Sequence, residues 1–171
     1  MRDPTLSTHS LDEQIRAHLE TLESAPGDRQ AFDALVGLYE SASRWEDLVA
    51  LYEGHARVVQ EPGWPFLAKA ASLAHGKLRN VARAEDLYRQ LLQADPTHAD
   101  ALRSLEALLE EKGDWPALAA VLEREAAHAE DPRETARVTL RLGKVQEERL
   151  GRRDRAALLY VRAHRLDPEL A

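Results

Sequence analysis

The sequence predicts an all-α protein, an α-solenoid of stacked antiparallel helix pairs with about nine helices, and three observations carry that expectation. First, residues 26–60 return at 96–130. At an offset of seventy they agree at ten of thirty-five positions: Pro26/Pro96, Ala31/Ala101, Leu35/Leu105, Leu38/Leu108, Glu40/Glu110, Trp45/Trp115, Leu48/Leu118, Ala50/Ala120, Glu53/Glu123 and Ala56/Ala126. Most of these are apolar or small, as a repeated packing unit requires. Second, Arg83, Ala84, Leu87, Tyr88, Asp95 and Pro96 return as Arg155, Ala156, Leu159, Tyr160, Asp167 and Pro168, with a two-residue slip. The basic unit is therefore one helix pair, and two kinds of pair alternate. Third, apolar residues recur at helical spacing between short breaks along the chain.

Taken in order, Ser10 and Glu13 read as a capping box, followed by Leu11, Ile15, Leu19 and Leu22 on one stripe and a stop at Ala25-Pro26-Gly27. Residues 1–10 are expected to form a flexible N-terminus. The second helix is predicted from about Asp28 to Ala42, burying Ala31, Phe32, Leu35, Leu38 and Tyr39. Ser43 and Glu46 read as another capping box, before a helix that carries Trp45, Leu48, Leu51, Tyr52 and Ala56 to about Gln60. Glu61-Pro62-Gly63-Trp64-Pro65 is the strongest break in the chain, because proline denies its predecessor the helical region.

A helix over about Phe66 to Leu78 follows, with Leu67, Ala70, Ala71, Ala74 and Leu78 as packing positions small enough for close approach. Val81 to Ala94 carries Ala84, Leu87, Tyr88, Leu91 and Leu92. Thr97 reads as the cap of a helix showing Ala101, Leu102, Leu105, Leu108 and Leu109 and stopping at Gly113; Asp114 caps one bearing Trp115, Leu118, Val121, Leu122 and Ala126. Asp131-Pro132-Arg133-Glu134 is a clear start, with cap, proline and acidic residue in order. That helix uses Val138, Leu142, Val145 and Leu150 up to Gly151, and Asp154 to Leu166 is the last, with Ala156, Leu159, Tyr160 and Ala163. The expected organisation is one repeat domain over 11–171: a half repeat at 11–25, then repeats at about 26–61, 62–95, 96–131 and 132–168.

Composition narrows the function. Of 171 residues, 31% are charged and the net charge is −7, without a cationic face of the kind that neutralises phosphates, so nucleic acid is not an expected ligand. There is no cysteine, which removes disulfides, thiolate metal sites and cysteine nucleophiles together. No run of eighteen apolar residues occurs, so no membrane insertion and a cytoplasmic location are expected. Arginine outnumbers lysine nineteen to four, which hints at a GC-rich genome. No two of the histidines at 9, 18, 55, 75, 98, 128 and 164 stand three or four apart, and solvated helix faces are their plain reading. Nucleophile elbows and glycine-rich phosphate loops are absent. Glu110-Glu111 and Glu147-Glu148 are the carboxylates to watch for acid–base chemistry, with a solvated rim as the plain alternative. No catalytic residue, metal or cofactor is expected, and the chain is not read as an enzyme.

The thirty-five-residue helix pair resembles the tetratricopeptide repeat, in a divergent, bacterial-type array from about Leu11 to Pro168. The last unit is most similar: Leu142-Gly143 stand in its first helix, and Ala156, Tyr160, Ala163 and Pro168 fall at the family's spacing. The unit ending at Pro96 keeps Ala84 and Tyr88 but has Leu91 at a usually small position. The tryptophan units depart further, since Leu48 and Leu118 replace the alanine at the tightest contact. Trp45 and Trp115 are expected in the core; Trp64 is either a staple onto the helix it precedes or an exposed anchor.

The resemblance implies a non-enzymatic scaffold or adaptor that holds a protein segment in a concave groove lined by the first helix of each pair. Carried over by position, that groove comprises Gln30, Asp33 and Glu40; Ser72 and His75; Asp100, Arg103 and Glu110; and Arg137, Lys144 and Glu147, with Gly37 and Ala107 between them. Asp33 and Gly37 stand where the family's chaperone-tail clamp has lysine and asparagine, so chaperone-tail binding is not expected. Arg103, Arg137 and Lys144 form a positive spot for an acidic peptide, or else pair internally with Glu110 or Glu148. The alternative function is self-assembly, or membership of a longer array, through terminal helices whose last member exposes Leu158, Tyr160 and Val161. Possible homo-oligomers therefore stand beside a protein or peptide partner.

Overall fold

The computed structural model describes residues 4–59 and 63–170, with side chains from Ser10 onward. Among these residues the chain is all-α, a solenoid of helix pairs: α1 Pro4–Ser24, α2 Arg29–Ser41, α3 Trp45–Val58, α4 Trp64–Gly76, α5 Val81–Ala94, α6 Ala99–Lys112, α7 Trp115–His128, α8 Pro132–Lys144 and α9 Arg153–Leu166. A π-helical segment, Val145–Arg149, continues α8. None of these helices is long and apolar enough to cross a membrane. The chain divides into two compact units, 1–87 and 88–171.

In the first unit α1 packs on α2, α2 on α3 and α3 on α4. Leu35, Leu48 and Val49 are fully enclosed, and Ala70, Ala71 and Ala74 present a small-residue face that lets α4 approach closely. Phe32, Tyr52 and Phe66 form an aromatic cluster into which His55 is inserted, stacked on Phe32 at 3.9 Å and edge-on to Phe66 at 4.7 Å. His55 is thus a core residue and not a solvated one, and burial is the main force lowering its pKa.

In the second unit α6 packs on α7, α7 on α8 and α8 on α9. Leu105, Leu108, Leu109, Leu118, Leu122 and Val138 are enclosed, and burying each such side chain contributes about 1.5–3 kcal/mol. That is why Leu35/Leu105 and Leu48/Leu118 recur while solvent-facing positions drift. Gly143 lies directly beneath the Tyr160 ring, so close that a Cβ there would stand 2.5 Å from a ring carbon. The small residue expected from the Leu142-Gly143 pair has a packing cause.

Two repeated devices join the pairs. Arg83 reaches Glu53 at 2.9 Å and Glu46 at 2.7 Å, and its counterpart Arg155 reaches Glu123 at 2.5 Å. Each turn within a pair also holds one left-handed residue: Ser43 (φ 55°), Arg79 (φ 53°), Gly113 (φ 68°) and Gly151 (φ 66°). The repeat offsets align Ser43 with Gly113 and Arg79 with Gly151.

That geometry corrects several expected helix starts. Ser43 caps nothing; it bends the chain, and α3 begins without a side-chain cap. Ser10 is interior to α1, which is already helical at Pro4, while residues 1–3 of the expected flexible N-terminus lie outside the described residues. Thr97 bonds to Asp95, and it is His98 whose Nδ1 accepts the Ala101 amide at 3.2 Å. Asp114 and Asp131 cap α7 and α8 as expected. Residues 60–62 of the predicted break lie outside the described residues; α4 starts at Trp64, which is half-buried. Trp45 and Trp115 are likewise half-buried and not core: Lys77 Nζ sits 5.0 Å above the first ring and the Arg149 guanidinium 4.5 Å above the second.

Candidate functional site

The residues expected to line a groove are nearly all on the surface. Gln30, Asp33 and Glu40 are exposed on α2, with Asp33 3.7 Å from Arg29; on α4 Ser72 is exposed and His75 half-buried. In the second unit Asp100, Arg103 and Glu110 on α6, Arg137 and Lys144 on α8, and Glu147 in the π-helical segment are exposed. The arginines pair, but with neighbours one turn away and not with Glu110 or Glu148: Arg103 with Asp100, and Arg137 with Glu134 at 2.6 Å. Such exposed pairs are worth about 0–1 kcal/mol, so they leave the arginines able to change partner. Glu147 accepts the Tyr160 hydroxyl at 2.8 Å.

Between α6, α7 and α8 lies a cleft of about 620 Å³ lined by Leu102, Arg103, Glu106, Glu125, His128, Glu130, Asp131, Glu134 and Arg141, among others. Glu106 is buried on α6 and accepts from Arg141 of α8 at 2.5 Å. Glu125 of α7 is hydrogen-bonded to Glu106, and its carboxyl is pushed up to about 7, first by burial and then by Glu106, with Arg141 opposing. A second carboxylate this close makes ionising Glu125 costlier, because like charges repel strongly where water is scarce. Glu125 Oε2 is shielded and makes no hydrogen bond. On the other side of Arg141 a smaller hollow of about 260 Å³ is lined by Glu110, Trp115, Lys144, Glu148 and Arg149. The structure thus brings Arg103 to one cleft and Glu110 with Lys144 to the other. Glu110-Glu111 and Glu147-Glu148 are exposed; the described residues instead bring together Glu106 and Glu125, which sequence reasoning missed.

A signal for that pair does exist. The seventy-residue offset sets Leu102, Glu106 and Glu125 against Phe32, Val36 and His55, and the seventy-two-residue offset that aligns Arg79 with Gly151 sets Arg141 against Lys69. The stacked Phe32 and His55 of the first unit are thus replaced in the second by Leu102 and a carboxyl, beside which the cleft opens.

The tetratricopeptide-repeat model matches residues 31–63 and 101–136, which take in most of the pairs α2–α3 and α6–α7. No curated protein matches the sequence. Among solved structures, the chain is similar to a crystal structure of MamA at 16% identity, covering 99% of this chain and 97% of that one with a TM-score of 0.51. A second crystal structure of MamA is similar at 18% identity, covering 96% and 90%, with a TM-score of 0.52. At these identities the likeness is one of fold.

Proposed function

Because the chain belongs to the tetratricopeptide-repeat family, we propose that it is a non-enzymatic adaptor that holds a segment of a protein partner against the first-helix faces. The observation that carries this is the α6–α8 face of the second unit, where exposed Arg103, Glu110 and Lys144 edge two clefts on either side of Arg141. That surface is polar and mixed in sign, so it suits an extended segment with alternating charge. Asp100, Arg137 and Glu147 continue it, and Gln30, Asp33, Glu40, Ser72 and His75 are the corresponding residues of the first unit.

A photoreactive phenylalanine analogue placed at position 103 or 144 is expected to cross-link one and the same partner. Capture of that partner is expected to fall at least tenfold when Arg103→Glu and Lys144→Glu are combined. Undiminished capture by the double variant would refute this surface.

A second reading, self-assembly, is favoured by the outer face of α9, where Leu158 is 73% and Val161 51% exposed. Light scattering over a wide concentration range tests it: a strict monomer ends this reading, and mass that rises with concentration and is abolished by Leu158→Glu supports it.

A further inference from the structure

We propose that the cleft between α6, α7 and α8 is a seat for one cationic side chain, a guanidinium or an ammonium, carried by the bound protein segment. This deepens the adaptor reading and rests on it. Three independent features lead to it. The first is space: about 620 Å³ falls within the roughly 300–1,000 Å³ of ordinary ligand sites, and it opens where the first unit has Phe32, His55 and Phe66 packed together. The second is charge. Glu106, Glu125, Glu130, Asp131 and Glu134 line the cleft against Arg103 and Arg141, and both guanidiniums already donate to carboxylates, Arg103 to Asp100 and Arg141 to Glu106. An arriving anion would have to displace one of these; an arriving cation meets carboxylates directly.

The third feature is the unmet bonding capacity of Glu125. Buried polar atoms are nearly always paired, yet its Oε2 has no partner and its neighbour Glu106 is a like charge. Packing such a pair where apolar side chains would fit is a stability cost, of the sort that proteins carry at functional sites. A long cationic side chain satisfies the site: its stem lies along Pro96, Ala99 and Leu102, which line the same cleft, and its head joins the carboxyl pair. Glu106 keeps Arg141, and Glu125 releases its proton to solvent as the new cation takes its place.

The groups facing Glu125 are Glu106 and Arg103 from α6, Glu134 and Arg141 from α8, His128 on α7 itself, and Glu130 and Asp131 in the link to α8. Binding therefore strengthens as pH rises. With Glu125 titrating near 7, affinity for a cation is expected to be about tenfold higher at pH 8 than at pH 6.

The test is a titration of the full chain with N-acetyl-arginine amide, followed by amide chemical shifts, with the citrulline analogue as the neutral isostere. Saturable shifts are expected at residues 99–106, 125–131 and 134–141 with the arginine probe and none with citrulline. Glu125→Gln, which copies the shape of the protonated acid, is expected to keep the fold, weaken binding at least tenfold at pH 8 and remove the pH dependence. Glu134→Phe, which puts an aromatic ring into the cleft that Glu134 lines, is expected to abolish binding, whereas Glu20→Gln on α1 leaves it unchanged. No saturable shift, or equal binding by the Glu125→Gln variant, overturns the proposal. No partner is present in this titration, so its failure leaves the adaptor surface to its own cross-linking experiment, and the converse also holds.

Discussion

Gly143→Ala tests whether the α8–α9 contact is as tight as it looks. A Cβ at Gly143 would stand 2.5 Å from Tyr160 Cε1 and 2.8 Å from Cδ1, whereas carbons in contact sit about 3.5–4.0 Å apart. The ring must retreat by about 1 Å, carrying with it the hydroxyl that Glu147 accepts at 2.8 Å. Overpacking costs about 1–3 kcal/mol and a lost hydrogen bond about 0.5–1.5, while alanine in place of a helical glycine returns about 1. The variant is therefore expected to be destabilised by roughly 1–3 kcal/mol, or about 2–12 °C in Tm at this chain length. Urea denaturation followed by circular dichroism measures it. The decisive comparison is the same substitution in a Tyr160→Ala background: with no ring to strike, Gly143→Ala should become stabilising by about 1 kcal/mol. A loss of equal size in both backgrounds would refute the contact as the cause.

Left-handed turns offer a second test: Ser43→Gly and Arg79→Gly are each expected to stabilise the chain by about 1 kcal/mol, and Gly113→Ala and Gly151→Ala to destabilise it by a similar amount, read as shifts in Tm. Glu125 makes stability depend on pH. Its folded pKa of about 7 lies above its ordinary 4.5, so its contribution is fully present below about 4.5 and is lost as pH rises towards 7. At most about 3 kcal/mol is involved, and Glu125→Gln should flatten that slope and be more stable than the parent at pH 8. The Tyr160 phenol is held up to about 12 by burial, by its bond to Glu147 and by the charges of Glu147 and Glu148. Glu147→Gln is expected to bring its titration, followed by tyrosine ultraviolet absorbance, back towards 10.

Helix identity was readable because a buried face repeats every turn, and Leu35, Leu48, Leu105 and Leu118 announce it in any context. Asp114 and Asp131 were readable as caps because capping is local, a side chain bonding an amide two or three residues on. Ser43 misled for the same reason: it has the chemistry of a cap, but the turn between α2 and α3 required a left-handed residue there, which the alignment with Gly113 could have shown. The tryptophans misled because recurrence at equivalent repeat positions implies core, whereas Lys77 and Arg149 cover each from outside. Glu106 and Glu125 went unremarked among thirty acidic residues, since nothing local distinguishes a carboxylate that will be buried.

By itself, then, the sequence determined the periodic unit, its helices, most of their buried faces and the family, all consequences of spacing along one chain. Tertiary structure alone decided that Glu106 meets Glu125 and Arg141, that Gly143 lies under Tyr160, and that the second unit is hollow where the first is plugged. These depend on which side chains from different helices converge, and on the low polarity of the place where they do.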